Sequence, residues 1–355
     1  MPQHVLITGA NGFIAQHIVA HFLEAGHSVI AVVRSESSSA RLRNAFRSYP
    51  ASRLDVAVVP DITAPGAFDS VLASDPPLDA VLHTASPFDF RKGMSSADFL
   101  DPAIKGTTEI LRGITRVAPS VKRVVITSSV AAVINSSSPP ISDPPKIYTE
   151  RDWLEVSRKD VDDSGDPGLA YFASKAFAER AAWAFVADEK PSFDLATINP
   201  PVVYGPPYDT SSLSSPQDLG QSNYMLYTGL LSPELTSASP VAPGMLHLYV
   251  DVRDVARAHL LAVEKPDAGG NRLVIGGGGA SNQEFANILR KRFPELSHRI
   301  PEGDPSKAAL PEGLFDLDPS LASKVLGLEY KSLEDTLVDT AVSMIELEKR
   351  AEKAA

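Results

Sequence analysis

Tyr171 and Lys175 have the residue types and the spacing needed to deliver a proton to a carbonyl oxygen. They stand four residues apart in an apparent helix over 169–187, so their side chains project from one face. An ammonium beside a phenol stabilises the phenolate, and we expect Lys175 to lower the pKa of Tyr171 from about 10. Tyr171 can then act as a general acid.

A serine at the end of a predicted strand completes this candidate catalytic set. The apolar run 124–127 predicts a strand, and Ser128 and Ser129 follow at its carboxyl end. A hydroxyl there faces the crevice in which open α/β sheets bind ligands, and it can hydrogen-bond a substrate carbonyl. We take Ser129 as the catalytic serine and Ser128 as the competing candidate.

The elements that must position these residues are short apolar strands alternating with helices. Strands are predicted over 5–8, 29–33, 54–59, 80–83, 124–127 and 195–198. Continuous apolar strands are typical of a buried parallel sheet, and right-handed crossovers place helices on both of its faces. The predicted fold class is therefore α/β, a Rossmann-type doubly wound parallel sheet.

A glycine-bearing turn between the first strand and the first helix predicts a dinucleotide site. In the run Thr8-Gly-Ala-Asn-Gly-Phe-Ile-Ala15, small residues recur at every third position from Gly9. Glycine permits positive φ and close approach of a pyrophosphate, and the helix N-terminus supplies N–H groups. The predicted contacts from this turn are Gly9, Asn11, Gly12, Phe13 and Ile14.

The ends of the second and third strands indicate which cofactor is bound. NAD sites often carry an acidic residue after the second strand, where it holds the ribose hydroxyls. This chain has Arg34, whose guanidinium can pair with a 2′-phosphate. Asp61 can accept from the adenine amino group, and Ile62 can pack on the ring. We predict NADP(H), with Tyr171 and Lys175 at its nicotinamide end.

A smaller substrate lobe, interleaved with the sheet, is predicted beyond residue 200. The NADP-binding domain is predicted over 1–200, with 246–276 returning to it, and the lobe over 201–245 and 277–355. We expect 135–168 to be an irregular surface excursion and 205–243 to be a loop or lid. Residues 251–263 predict a helix with Asp251 as N-cap and Asp254 completing an approximate capping box.

Composition argues against several classes of function. The 355 residues carry a formal net charge of −11, whereas nucleic-acid binding requires a basic patch. The chain has no cysteine, so disulfides and thiolate metal sites are impossible. No apolar run is long enough to span a membrane, and no signal peptide is visible. We expect a cytoplasmic protein, monomeric or homodimeric, that uses no metal.

Several motifs give the chain a specific resemblance. They are Thr8-Gly-Ala-Asn-Gly-Phe-Ile-Ala15, Val59-Pro-Asp-Ile62, His83-Thr-Ala-Ser-Pro87, Thr127-Ser-Ser129, Tyr171-x-x-x-Lys175, Glu179-x-Ala-Ala-Trp183, Asn199-Pro200 and Tyr249-Val-Asp-Val-Arg-Asp-Val255. Over nearly its whole length the chain resembles an extended short-chain dehydrogenase/reductase. Within that family it is most similar to NADPH-dependent methylglyoxal and carbonyl reductases, neighbours of the dihydroflavonol reductases.

The resemblance implies that a small-molecule aldehyde or ketone is reduced to an alcohol by Ser129, Tyr171 and Lys175. The cofactor contacts that it implies are Arg34, Asp61, Ile62, Val203 and Ser222. It also implies that Phe88 lines the substrate pocket, and we add Val133 and Val202 to the predicted wall. Two positions depart from the pattern of these reductases. Ser38 replaces a lysine that contacts the 2′-phosphate, and Val202 replaces an aromatic residue, which predicts a wider pocket.

Other functions are compatible with parts of this pattern. A biosynthetic ketoreductase of the dihydroflavonol or hydroxysteroid type would use the same residues. A nucleotide-sugar epimerase or dehydratase would need cations for a diphosphate, and residues 206–252 contain no Lys or Arg. A non-catalytic NADP-binding sensor would not need both Tyr171 and Lys175.

Overall fold

A parallel sheet of seven strands forms the centre of the fold. The computed structural model describes residues 1–86, 96–135, 140–244 and 246–354. Its strands are β1 His4–Thr8, β2 Ser28–Val33, β3 Leu54–Val58, β4 Ala80–His83, β5 Arg123–Thr127, β6 Ile147–Tyr148, β7 Asp194–Asn199, β8 Val202–Tyr204, β9 Leu248–Asp251, β10 Arg272–Val274, β11 Gly278–Gly279 and β12 Asp316–Leu317. The large sheet has the order β10-β7-β5-β4-β1-β2-β3, and all its pairings are parallel.

Helices cover both faces of this sheet, as the sequence predicted. They are α1 Phe13–Glu24, α2 Glu36–Ala45, α3 Asp69–Leu72, α4 Ser96–Val117, α5 Arg158–Ser164, α6 Pro167–Glu189, α7 Gln221–Leu226, α8 Val252–Glu264, α9 Asn282–Arg292, α10 Ser320–Leu326 and α11 Leu333–Ala354. Val5 and Ile7 of β1 pack with Val255 of α8, whereas Leu6 packs on the other face with Ile110 of α4. Because both faces are buried, the strands are continuous apolar runs.

Beyond residue 200 the chain builds smaller sheets and a separate core. β9 pairs in parallel with β8 and antiparallel with β11, and β12 pairs in parallel with β6. Tyr204 of β8 and Tyr249 of β9 pack with Phe285 of α9 and Leu337 of α11. β10, in contrast, joins the large sheet beside β7. The division into a cofactor domain and a substrate lobe stays a prediction.

Two segments contain more regular structure than the sequence predicted. The segment 135–168 contains β6 and α5, and the N-cap Ser157 of α5 forms a capping box with Asp160. The segment 205–243 contains α7, which continues into one π-helical turn over Tyr227–Leu231. Among the described helices, none combines the length and the apolar character needed to cross a bilayer.

The start of α8 differs in detail from the predicted capping box. Asp251 is the N-cap, and its carboxylate accepts the N–H of Arg253 at 2.8 Å. The Asp254 carboxylate instead accepts the N–H of Lys331 at 2.9 Å, from the segment that leads into α11. Asp254 therefore ties α8 to the C-terminal helix, and burial raises its pKa to about 6.

Candidate active site

A cavity of about 350 Å³ lies at the carboxyl ends of the large sheet's strands. This is where open parallel sheets bind ligands. Its walls come from the β1–α1 turn, the segments that follow β5 and β7, the strand β8, the first turns of α6 and the start of α7. The predicted site residues on these walls are Gly9, Gly12, Phe13, Ile14, Ser129, Tyr171, Lys175, Val202, Val203 and Ser222.

The three candidate catalytic side chains meet on one side of this cavity. Ser129 follows β5 and caps a short 3₁₀ turn, with its Oγ accepting the N–H of Ala131 at 3.1 Å. The Ser129 hydroxyl also hydrogen-bonds the Tyr171 phenol. Lys175 Nζ lies 5.9 Å from the centre of the Tyr171 ring, one turn further along α6. The Ser129 hydroxyl, the phenol and the ammonium therefore face a common space.

Burial controls the ionisation of these groups. Desolvation raises the pKa of Tyr171, and the hydrogen bond with Ser129 offsets only part of that effect. Desolvation also lowers the pKa of Lys175 to about 8. The expectation of a lowered Tyr171 pKa is therefore wrong for the protein without cofactor, because desolvation of the phenol is the largest effect and the net shift is upward. At pH 7 Tyr171 is a neutral phenol and Lys175 is an ammonium.

A buried carboxylate lies directly behind the two serines that follow β5. Glu179, one turn after Lys175 on α6, is 1% exposed. Its donors are Ser128 Oγ at 2.5 Å, Arg272 Nε at 2.6 Å, Asn199 Nδ2 at 2.7 Å, Thr197 Oγ1 at 3.1 Å and Trp183 Nε1 at 3.3 Å. Asn199 also donates to the backbone oxygen of Ser129 at 3.2 Å. Because the Ser128 hydroxyl is committed to Glu179, the geometry favours Ser129 as the catalytic serine.

The turn between β1 and α1 is tight and packs closely against the chain that follows β4. Gly9 has a φ of +65°, and a Cβ there would lie 2.8 Å from the Cα of Ala85. Gly12 is the N-cap of α1, and its N–H donates to the Gly9 oxygen at 2.9 Å. The first turn of α1 contains no acidic residue and lines the cavity. Free N–H groups at a helix N-terminus favour an anion.

The adenosine-end candidates lie outside the cavity walls. Arg34 is exposed after β2, beside Ser35, which caps α2 by accepting the N–H of Ser38 at 3.3 Å. Arg41 donates to Ser38 Oγ at 3.5 Å, so a second guanidinium lies near this helix start. Serine hydroxyls and guanidinium groups together suit a phosphate.

The other two adenosine-end candidates follow β3. The exposed Asp61 carboxylate accepts the N–H and the hydroxyl of Thr63 at 2.9 and 2.7 Å, which lowers its pKa. Ile62 packs under α4, where a Cβ at Gly106 would lie 2.8 Å from its Cδ1. Asn11, in the glycine turn, accepts from Gln16 Nε2 through its backbone oxygen at 3.1 Å.

Val202 and Ser222 belong to the outer wall of the cavity. Ser222 Oγ donates to the Val203 oxygen at 2.6 Å, which joins these two predicted contacts directly. Val133 is fully buried and packs with Tyr148 and Leu248 instead of lining the cavity. Phe88 lies outside the described residues. Sequence reasoning missed the lining residues Thr84, Val130, Phe172, Pro201, Gln221 and Leu246.

Residues 5–276 match the model of the NAD dependent epimerase/dehydratase family. The chain belongs to this family. Ketoreductase azaE of Aspergillus niger is 39% identical over 347 residues, which cover 98% of this chain and 98% of that protein. The NADPH-dependent methylglyoxal reductase GRE2 of Saccharomyces cerevisiae is 37% identical over 352 residues, 98% of this chain and 99% of that protein.

A solved structure shows the same likeness in three dimensions. The crystal structure of yeast methylglyoxal/isovaleraldehyde reductase Gre2 complexed with NADPH has a TM-score of 0.89 and 35% identity, covering 98% of this chain and 99% of that chain. The predicted fold class and the resemblance to NADPH-dependent methylglyoxal and carbonyl reductases are both confirmed.

Proposed function

We propose that this protein reduces aldehydes or ketones to alcohols with NADPH. The observation that carries the proposal is the convergence of Ser129, Tyr171 and Lys175 on a cavity that begins at the glycine turn of β1 and α1. Ketoreductases and methylglyoxal reductases among the relatives support the same reaction class.

The residues of the turn fit this cofactor. Gly9 allows the positive φ of the turn and the close approach of the Ala85 backbone, and the N–H groups that open α1 would hold a pyrophosphate. Arg34 and the serines at the start of α2 would hold the 2′-phosphate, and Lys175 the ribose of the nicotinamide half. When bound, NADPH supplies the hydride.

Tyr171 is the proposed proton donor. Because burial raises its pKa, the phenol keeps its proton at pH 7 and can give it to a carbonyl oxygen as negative charge develops there. The Ser129 hydroxyl would hydrogen-bond the same oxygen and fix its position. The Lys175 ammonium would stabilise the phenolate that remains after the transfer.

The proposed substrate is a small or medium-sized, uncharged carbonyl compound. The outer wall of the cavity is apolar, with Val130, Phe172, Pro201, Val202 and Leu246. With no Lys or Arg in 206–252, this region offers no cation to a nucleotide diphosphate, which argues against an epimerase.

We place the enzyme in the cytoplasm, as a monomer or homodimer.

The test is a reduction assay with purified protein. NADPH or NADH is mixed with methylglyoxal, an aryl aldehyde, a β-keto ester and a diketone, and nicotinamide absorbance is followed. We expect consumption of NADPH, and we expect Tyr171→Phe to lower kcat by roughly 10²–10⁴-fold while leaving NADPH binding intact.

Tyr227→Phe is the matched control, because this tyrosine is buried in the separate core near α11. It should leave kcat unchanged. NADPH binding without turnover of any carbonyl in the panel would contradict the proposed reductase. Equal loss of activity in both tyrosine variants would contradict the role given to Tyr171.

A further inference from the structure

A second, much smaller cavity lies behind Lys175. Its volume is about 20 Å³, which is enough for one water molecule but for no larger ligand. Polar groups contribute to its wall from four elements: His83 from β4, Thr107 from α4, Ser128 after β5, and Lys175 from α6. A buried polar cavity of this size is the type of site that holds a structural water.

His83 lines this cavity, and one of its ring nitrogens has no partner in the described part of the chain. The side chain is 2% exposed, and Nε2 is the unpaired atom. The other nitrogen, Nδ1, lies 2.9 Å from the hydroxyl oxygen of Thr8. Burial and the nearby Lys175 charge lower the pKa of His83 to about 3, so the ring is neutral at pH 7.

The hydrogen bonds of Thr8 determine which nitrogen of His83 carries the proton. Thr8 Oγ1 accepts the N–H groups of Thr84 at 3.2 Å and Ala85 at 3.1 Å. A hydroxyl has two acceptor positions and one hydrogen, so the remaining hydrogen must be donated to His83 Nδ1. Nδ1 is therefore an acceptor, and the single ring proton sits on Nε2. This residue of the cavity wall thus carries a buried N–H donor without a protein partner in the described part of the chain.

Lys175 brings further donors to the same space and no acceptor. Glu179 also lines the cavity, but both its oxygens already accept the network donors behind Ser129. One water oxygen could accept from both His83 and Lys175. Its hydrogens could be donated to the Ser128 and Thr107 hydroxyl oxygens, which gives it the two to four partners that a buried water requires.

We infer that this cavity binds one structural water, oriented by the Nε2–H of His83, and that this water holds the Lys175 ammonium in place. His83 is then a positioning residue that acts through Lys175, and Thr8 acts one step further away by fixing the ring proton. This role rests on the proposed function. The water site and the ring proton do not rest on it.

The ring proton can be observed without any assay of activity. In protein labelled with ¹⁵N-histidine, two-bond ¹H–¹⁵N correlation spectra distinguish protonated from bare ring nitrogens. We expect His83 to be protonated on Nε2 at pH 7. His259 is the internal control, because its Nδ1 lies 2.8 Å from the Val255 oxygen and must be the donor, while Nε2 accepts from Thr127. Protonation of His83 on Nδ1 would overturn the inference.

Two pairs of variants test the role in catalysis. His83→Leu removes the N–H donor, whereas His83→Gln keeps an N–H near the Nε2 position. We expect His83→Leu to lower kcat about tenfold at unchanged carbonyl KM, and His83→Gln to stay within about threefold of the parent. Thr8→Val removes the hydroxyl that donates to Nδ1, so the ring should no longer be held with its proton on Nε2 alone, whereas Thr8→Ser should keep the proton on Nε2.

These outcomes separate the two proposals. An inactive parent protein would contradict the proposed reductase but not the water site, which the spectra and a crystal structure showing the water test directly. An active parent whose kcat is unchanged in His83→Leu would overturn the positioning role. If His83→Leu does not fold, the Thr8 pair and the ring-proton measurement still decide the question.

Discussion

At the scale of single residues, burial in the protein sets the ionisation of both Tyr171 and Lys175. The same burial raises the pKa of the phenol and lowers that of the ammonium. Tyr171 therefore keeps its proton, while Lys175 holds a charge that is unfavourable for folding. A buried charge held in this way should be visible in the pH dependence of stability.

Lys175→Met is expected to raise the free energy of unfolding at pH 7. In the folded parent the lysine pKa is about 8, below its ordinary value of 10.5. Between these values the unfolded chain binds a proton that the folded chain has released, so the stability of the parent rises with pH. The difference in the free energy of unfolding between Lys175→Met and the parent should therefore shrink, by up to about 3 kcal/mol, from pH 7 to pH 10.

Urea denaturation of parent and variant at both pH values measures this change. The exposed Lys349→Met is the control for loss of a lysine, and it should show no such dependence on pH. If Lys175→Met stabilises the protein equally at pH 7 and pH 10, the claim that burial lowers the Lys175 pKa is contradicted.

Arg34→Ala is expected to weaken NADPH binding and to leave NADH binding nearly unchanged. Loss of a guanidinium–phosphate pair should raise the NADPH dissociation constant by about 10- to 100-fold, and NADH has no 2′-phosphate to lose. Calorimetric titration with both cofactors measures the difference. The control Arg47→Ala removes an arginine that bonds only the Asn44 oxygen among described partners. Equal weakening of both cofactors would contradict the role of Arg34.

The sequence was sufficient to locate the residues on the cavity walls, but it did not reveal the hydrogen bonds of Glu179 that hold them in place. Tyr171 and Lys175 are separated by one helical turn, and Ser129 ends a strand, so local spacing was sufficient to bring them together. Glu179 was part of a recognised motif without a role. Its importance arises from partners on β7 and β10 that are distant in sequence. Its position one turn after Lys175 was the available signal.

At the scale of elements, the turn between β1 and α1 is tightly constrained by its neighbours. Gly9→Ala should destabilise the fold by about 1–3 kcal/mol, because the new methyl group meets the Ala85 backbone and φ stays positive. It should also abolish NADPH binding, since the turn can no longer keep its shape. Thermal unfolding and cofactor titration measure the two effects.

Gly26→Ala is the matched comparison, because Gly26 has a φ of +94° with no atom within 4 Å of a Cβ. It should cost only the backbone strain, roughly 1 kcal/mol, and leave NADPH binding unchanged. Loss of cofactor binding in both variants would show that general destabilisation, and not the shape of the turn, is responsible.

Elements with strong apolar patterns were predicted, and those held by capping or distant pairing were not. α5 has one buried residue, Val161, so it shows no apolar periodicity, although its Ser157–Asp160 capping box was a readable signal. β6 has two residues and pairs with β12, which follows far later in the chain. α7 lies in a Pro- and Ser-rich segment whose overall composition concealed Leu226 and the buried turn that follows.

At the scale of the whole molecule, a buried ion pair joins the end strand β10 to α6. Arg272→Met should destabilise the protein by roughly 3–5 kcal/mol, because it leaves the Glu179 carboxylate buried without its cation. The guanidinium also donates to backbone oxygens of Glu150 and Asp152 at 2.6 and 2.7 Å, so the 135–168 segment should loosen too. Denaturant unfolding and hydrogen exchange measure the two effects.

The control is Lys159→Ala, which removes an exposed ion pair with Asp163 on α5. Exposed pairs of this kind contribute about 0.5 kcal/mol or less. A small effect of Arg272→Met, similar to that of the control, would contradict the view that Glu179 is a charged group that depends on Arg272.

The strand order also determines how the sheet can grow during synthesis. β1 is made first and lies inside the sheet; β2 and β3 extend it on one side, and β4, β5, β7 and β10 extend it on the other in the order in which they are made. Each new strand docks on an open edge, and none must be inserted between two strands that are already joined, which suits folding from the N-terminus. β10 arrives last and brings Arg272 to Glu179. The hydrogen-bond network behind Ser128 and Ser129 is thus completed only when the sheet itself is finished.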